Sequence, residues 1–341
     1  MLIEIIDTQK LVVFAYFKTV CMKQANCISS RFIIPFTLVI LISNQTYAQQ
    51  KKQTDLEKEG LKGAVSEVEH KEWKAAEKFG TAGKTEYIIG VQEEYTPNGY
   101  IKATTYIDEN NKLSSKTVYI LDNSSNIKES KSYDSDGTLI SYTTYKYHPG
   151  QFLKEKSYFM VNGKVSDISY YNEIGQILDR NRSTKNDEGA KIDIWKYSYD
   201  NEGNEKSRKY YKEEDGVQKE IYATLFKYHQ KRLILEENYD YGRYTGSTEY
   251  KYDISGGTTR IEYYPDGSIR NKTTSKEKYN SQHDIEEFVY TTSSGEVKIQ
   301  TYMYDYDAKG NWTRKIKYES KSEGFLGVPV RIEERKIKYY N

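Results

Sequence analysis

Cysteine, proline and histidine are scarce in this chain of 341 residues, with 2, 5 and 4 of each, and 51 Lys plus Arg nearly cancel 50 Asp plus Glu. Each shortage excludes something. Both cysteines, Cys21 and Cys27, lie near the N-terminus, so the remainder can be neither a disulfide scaffold nor a user of Cys as nucleophile or zinc ligand. A formal charge of +1 lacks the basic surplus that nucleic acid or an anionic membrane surface demands. His70, His148, His229 and His283 are far apart and none stands in a metal-binding helix pattern. There is no glycine-rich phosphate loop and no Gly-x-Ser-x-Gly elbow. The expectation is therefore a protein without cofactor or metal, and not an enzyme.

Apolar runs are short as well. The longest, Phe32 to Ile42, is interrupted by Pro35 and Thr37, preceded by Lys23 and Arg31, and followed by Ser43, Asn44, Gln45, Thr46, Tyr47 and Ala48. It is too short for a spanning helix of roughly 20 residues. A basic segment, an apolar core and small residues before the cut form a secretory signal peptide, with cleavage expected between Ala48 and Gln49. Met22 is the start expected for such a peptide. The organisation predicted is a leader over residues 1–48, opening strands over 49–92 and a repeat array over 93–341. Export places the protein in the periplasm, on the outer surface or outside the cell, with no transmembrane anchor after cleavage.

What the chain has is tyrosine, 35 residues of it. Once the leader is set aside, Leu, Ile, Val and Phe are fewer than one residue in five, a level bordering on disorder by composition. Tyr, with Ile and Thr, shifts the balance toward half-buried strands. The tyrosines recur with a polar turn: Tyr95 with Gly99 and Ile101, Tyr133 with Gly137 and Leu139, Tyr171 with Gly175 and Ile177, Tyr264 with Gly267 and Ile269, Tyr306 with Gly310 and Trp312. The interval is about 13 residues, which leaves about eight for a strand once the Asx- and Gly-rich turn is taken out. Between turns the residues alternate, as in Tyr302, Tyr304 and Tyr306, which is strand periodicity. Lys58 to Phe79 is ambiguous, and strand is preferred over a helical turn at Trp73 to Lys78. The fold class predicted is all-β: an elongated, twisted antiparallel sheet or superhelix of tandem β-hairpins.

The copies Tyr199-Asp200 with Gly203-Asn204, and Tyr306-Asp307 with Gly310-Asn311, resemble the YD repeats of Rhs-type bacterial secreted proteins. Looser copies such as Tyr264, Pro265, Asp266 and Gly267 are similar to MORN-variant hairpin repeats. The resemblance covers roughly residues 93–318 and implies a β-hairpin array, in the manner of small secreted proteins of Bacteroidota. Toxin delivery is not implied, because no effector domain or core motif follows the last copy.

Candidate sites are few. Asp134, Asp136 and Gly137 mimic the start of a calcium loop, and Asp305 and Asp307 share a strand face, but the distal Glu of an EF-hand is missing. Turn-forming Asp is the preferred reading. Tyr302, Tyr304 and Tyr306 point the same way on one strand, with Trp312 across the turn. Exposed, that row could stack on sugar rings; buried, it is core. The function expected is a binding or structural scaffold of the cell envelope, with a protein or polysaccharide as partner and glycan as one candidate. The alternative is a hydrolase or toxin-associated accessory protein with a site in a sheet concavity, which two carboxylates about 5 to 9 Å apart would favour.

Overall fold

The computed structural model describes residues 53–341 except 151, 164, 187, 188, 215 and 323, and the side chains of 185, 186, 189 and 190 are also left aside. The leader expected over residues 1–48 lies outside the described residues.

A short helix comes first, α1 (Asp55–Lys58), closed by a capping box in which Glu57 N donates to Thr54 Oγ1 (3.2 Å) and Thr54 N to Glu57 Oε2 (2.7 Å). Strands follow without interruption: β1 (Val65–Lys78), β2 (Thr81–Tyr95), β3 (Ile101–Ile107), β4 (Leu113–Leu121), β5 (Ile127–Asp134), β6 (Leu139–Tyr147), β7 (Leu153–Met160), β8 (Val165–Tyr171), β9 (Ile177–Asn186) and β10 (Gly189–Tyr199). The second half comprises β11 (Glu205–Glu214), β12 (Val217–His229), β13 (Arg232–Asp240), β14 (Arg243–Tyr252), β15 (Thr258–Tyr263), β16 (Ile269–Tyr279), β17 (Ile285–Thr291), β18 (Val297–Tyr306), β19 (Trp312–Ser320) and β20 (Val328–Tyr339). The ambiguous Trp73 to Lys78 segment is strand.

The turn chemistry explains the hairpins. In eight connections the Asx Oδ1 accepts from the N–H groups two and four residues on, as Asp200 does from Glu202 and Asn204, both at 2.9 Å, and Asp307 from Lys309 and Asn311 at 2.9 and 3.0 Å. The residue one before the last must then take positive φ, which Gly203 (85°) and Gly310 (79°) do without strain. The register slips there by one residue, as between Ser198 and Tyr199, which is the bulge such a turn produces. Asp134 and Asp136 are likewise turn formers: Asp134 Oδ1 accepts from Asp136 N and Thr138 N.

Every strand pairs antiparallel with its sequence neighbours, and β1 pairs with β2 on one side and β20 on the other. The sheet of 20 strands is therefore closed. That corrects the expected open sheet or superhelix: repeats with the right-handed twist of β strands curl, and here the curl runs until Val65 to Lys74 meets Arg331 to Tyr339. Closure leaves no free edge to stick to other chains.

A closed sheet has an inner and an outer face, and we assign the face that bears the tyrosine rows to the inside. On one face Lys146, Lys251 and Lys336 keep 64%, 58% and 79% of their side-chain surface, while on the other Lys315, Lys317 and Glu333 keep 23%, 20% and 13%. The second is the inner face. It carries most of the half-buried tyrosines, and rows such as Tyr119, Ser130, Thr143 and Tyr158 lie in register, so small Ser130 (6% exposed) and Thr143 (7%) are shaded by rings on either side. Water still reaches this face, where Tyr106 and Tyr222 are 42% and 55% exposed.

The hydrophobic cluster sits at the closure seam. Leu56 and Leu61, from α1 and the residues after it, pack on Val65, Val68 and Tyr95 with Ile101, Ile337 and Tyr339 around them. Ile101 N donates to Asp55 Oδ2 (2.9 Å) and Leu56 N to Gly99 O (3.1 Å), fastening this segment to the β2–β3 turn.

Candidate functional site

The wall formed by β18, β19, β20 and β1 concentrates aromatic rings and charge on the inner face. Alternation along β18 sends Tyr302, Tyr304 and Tyr306 inward, and the ladder sets Lys317 beside Tyr302 and Lys315 beside Tyr304. Beyond them stand Arg331 and Glu333 on β20, then Glu72 on β1 opposite Glu333, and His70 opposite Arg335.

The three tyrosines are half-buried and their hydroxyls are engaged. Tyr302 donates to Gln300 Oε1 (2.9 Å), Tyr304 to the Ile285 carbonyl (2.9 Å) and Tyr306 to Asp284 Oδ2 (2.7 Å). Tyr304 and Tyr306 stack with ring centroids 5.8 Å apart, too close to admit a third ring. Burial, reinforced by Asp284, pushes the Tyr306 hydroxyl up to about 12, and burial pushes Tyr304 higher still.

Trp312, predicted to lie near this row, meets it through a cation. The Lys315 ammonium lies 5.3 Å from the Tyr302 ring centre and 5.8 Å from that of Trp312, and pairs with Glu333 Oε1 at 3.0 Å. The Arg335 guanidinium covers Trp312 at 3.7 Å, and the His70 ring meets its edge at 5.7 Å. His70 Nε2 stands 3.4 Å from Glu333 Oε2 without a hydrogen-bonding angle, so the Lys315 contact is the firmer of the two. Burial alone would raise the Glu333 carboxyl; His70 and Lys315 outweigh it and hold it at about 2. Burial pushes the Arg335 guanidinium down, and its Nε has no hydrogen-bond partner among the described residues. Opposite Glu333, Glu72 accepts Arg331 at 2.9 Å. A hollow of about 270 Å³ adjoins the cluster, bounded by His70, Glu93, Thr104, Tyr106 and Arg335 and roofed by Glu59 and Leu61.

The structure thus joins Tyr302 with Trp312 through Lys315 and leaves Tyr306 at the turn end of the row. It adds His70, Lys315, Glu333 and Arg335, which no motif announces. Their only trace in the sequence is the alternation of Lys315 with Lys317 and of Arg331, Glu333 and Arg335; which strand they would face depends on closure. His148 serves a turn, its Nε2 3.0 Å from the Tyr171 carbonyl. Asp307 combines its turn role with accepting from the Tyr339 hydroxyl. Among the described residues no group of three His, Cys, Asp or Glu side chains is placed to hold a metal ion.

No family model and no curated protein matches the chain. Among solved structures it is similar to a porin-like protein from Bacteroides uniformis (12% identity, TM-score 0.33, over 81% of this chain and 98% of that one) and to a porin-like protein from Bacteroides vulgatus (10%, 0.28, 81% and 98%). It is also similar to part of the Photorhabdus luminescens Tc holotoxin pore, at 13% identity and a TM-score of 0.28, over 69% of this chain and 16% of that one. Scores of this size leave function to the chain's own geometry.

Proposed function

We propose that this protein is an exported binding module of the cell envelope that takes a polysaccharide segment against the inner wall at Tyr302, Tyr304, Tyr306 and Trp312. The observation that carries it is Lys315 held between the Tyr302 and Trp312 rings beside the half-buried Glu333. Ring faces offer apolar surface to sugars, while the ammonium and carboxylate supply directed hydrogen bonds at the hydroxyls. The hydrolase alternative needs a carboxyl kept protonated near neutral pH to act as general acid. Glu333, directly opposite Glu72, is instead held ionised by its cations, which favours binding over hydrolysis.

The test is a polysaccharide array probed with the full chain and with Tyr302→Ala, a change that removes one ring and a single hydrogen bond to Gln300. Binding by the wild type that falls about tenfold in the variant supports the reading. A wild type that retains no polysaccharide, or a variant that binds unchanged, retires it.

A further inference from the structure

A second stretch of inner wall, from β7 to β11, differs in charge. Register sets Lys156, Ser169, Arg180, Trp195 and Tyr210 side by side in one row, and Asp167, Arg182, Asp193 and Lys212 in the next. Between the rows is a hollow of about 520 Å³, whose lining includes Lys156, Arg180 and Arg182 with the rings of Tyr158, Tyr171 and Tyr197.

Cations outnumber carboxylates in these two rows, with Lys156, Arg180, Arg182 and Lys212 against Asp167 and Asp193. Arg180 is committed to Asp167, with Nε at 3.0 and 2.9 Å and Nη2 at 2.5 Å from its oxygens, and lies 5.1 Å from the Trp195 ring centre. Asp193 accepts from the Tyr210 hydroxyl at 2.5 Å. Lys156 and Arg182 are exposed on the inner face and have no ion pair among the described residues. Elsewhere on the same face Glu236, Glu262 and Glu277 point inward, so this basic wall is a local feature of a chain whose formal charge is +1.

We propose that this hollow is a second ligand site and that its ligand is a polysaccharide bearing carboxylates on its sugars. The free Arg182 fork matches a planar carboxylate through two parallel hydrogen bonds, and Lys156 supplies a point charge for another. The two cations stand two strands and one row apart, about 12 Å by strand geometry. That is a spacing between backbones, and a polymer with repeated carboxylates can present a separate one to each cation. The three tyrosine rings that line the same hollow offer faces and edges to the sugars. This inference shares with the reading above only a lumen open to glycans.

The experiment titrates the full chain with polygalacturonate, with neutral dextran and with inorganic polyphosphate. Polygalacturonate should bind, and the double variant Lys156→Gln, Arg182→Gln should lose about tenfold in affinity. Both side chains are exposed and have no ion pair among the described residues, with Lys156 only 6.0 Å above the Tyr145 ring centre, so a melting curve should show the fold intact. Asp167→Asn frees Arg180 from its partner and should tighten binding several-fold. Dextran carries no carboxylate and should gain nothing from Asp167→Asn, so a neutral-glycan site such as that at Tyr302 is told apart from this one. Polyphosphate binding as tight as polygalacturonate, no response to either charge variant, or no polygalacturonate binding overturns the assignment.

Discussion

Glu333 shows how much one residue carries in a sheet with little hydrocarbon core. Its carboxylate is mostly shielded and faces Lys315 and His70, and its pKa falls from 4.5 to about 2 on folding. A carboxyl whose folded pKa is depressed adds stability above its unfolded pKa and loses it as the pH drops through the folded value. The contribution is on the order of 3 kcal/mol, complete above about pH 4.5 and gone below about pH 2. Glu333→Gln should therefore lower the melting temperature at pH 7, and the gap to the wild type should close between about pH 4.5 and 2. A gap of constant size over that range would show that the ion pairs at Glu333 do not stabilise the fold.

Turns of one sequence type have different jobs depending on what lies beside them. Asn204 and Asn311 occupy the same place in two Tyr-Asp-x-x-Gly-Asn copies, yet among the described residues the Asn204 side chain reaches only Asp200, at 3.0 Å, within its own turn. Asn311 is 4% exposed; its Oδ1 accepts from Lys62 N (2.7 Å) and its Nδ2 donates to Lys62 O (2.9 Å) and the Tyr339 hydroxyl (2.8 Å). It ties the segment after α1 to the β18–β19 turn and the end of β20. Asn204→Ala should cost about 1 kcal/mol, and Asn311→Ala about 2 to 4, since three buried bonds are lost at once. Urea unfolding of the two variants measures the difference, and equal losses would mean that the bridge to Lys62 is not stabilising.

For the whole molecule the decisive contact is β1 with β20. Removing residues 328–341 would expose β1 and β19 as edges, so amides of Val68 to Lys74 should lose hydrogen-exchange protection and the protein should aggregate. If those amides stay protected and the chain stays monomeric, closure contributes little. The outer face bears on membranes. Lys209 with Glu220, Lys131 with Glu129 and Lys251 with Glu249 all lie on it. At a bilayer midplane each exposed Lys would cost about 2 to 4 kcal/mol. The protein should stay with the aqueous fraction in liposome flotation and give no conductance in planar bilayers; stable channels would contradict the assignment of faces.

The strands and the form of their turns were legible in the sequence, because alternation, Asx side chains and turn glycines act within a few residues, but β1 and β2 run to 14 and 15 residues where about eight were expected. Tyr302, Tyr304 and Tyr306 share a face for the same local reason, the period of two. Strands were expected over 49–92, and the helix α1 within that stretch was missed because four residues make little periodic signal. Closure was not legible: the repeat dictates a curling sheet, whereas the number of strands and the accumulated twist decide whether its ends meet, and Val68 pairs with Ile337 across nearly the whole chain. Only that closure makes one face inner. It puts Lys315 and Glu333 beside His70 and Glu72, and it gives the tyrosines a wall to line, because a side chain's neighbours two and three strands away follow from register and curvature and not from its own segment.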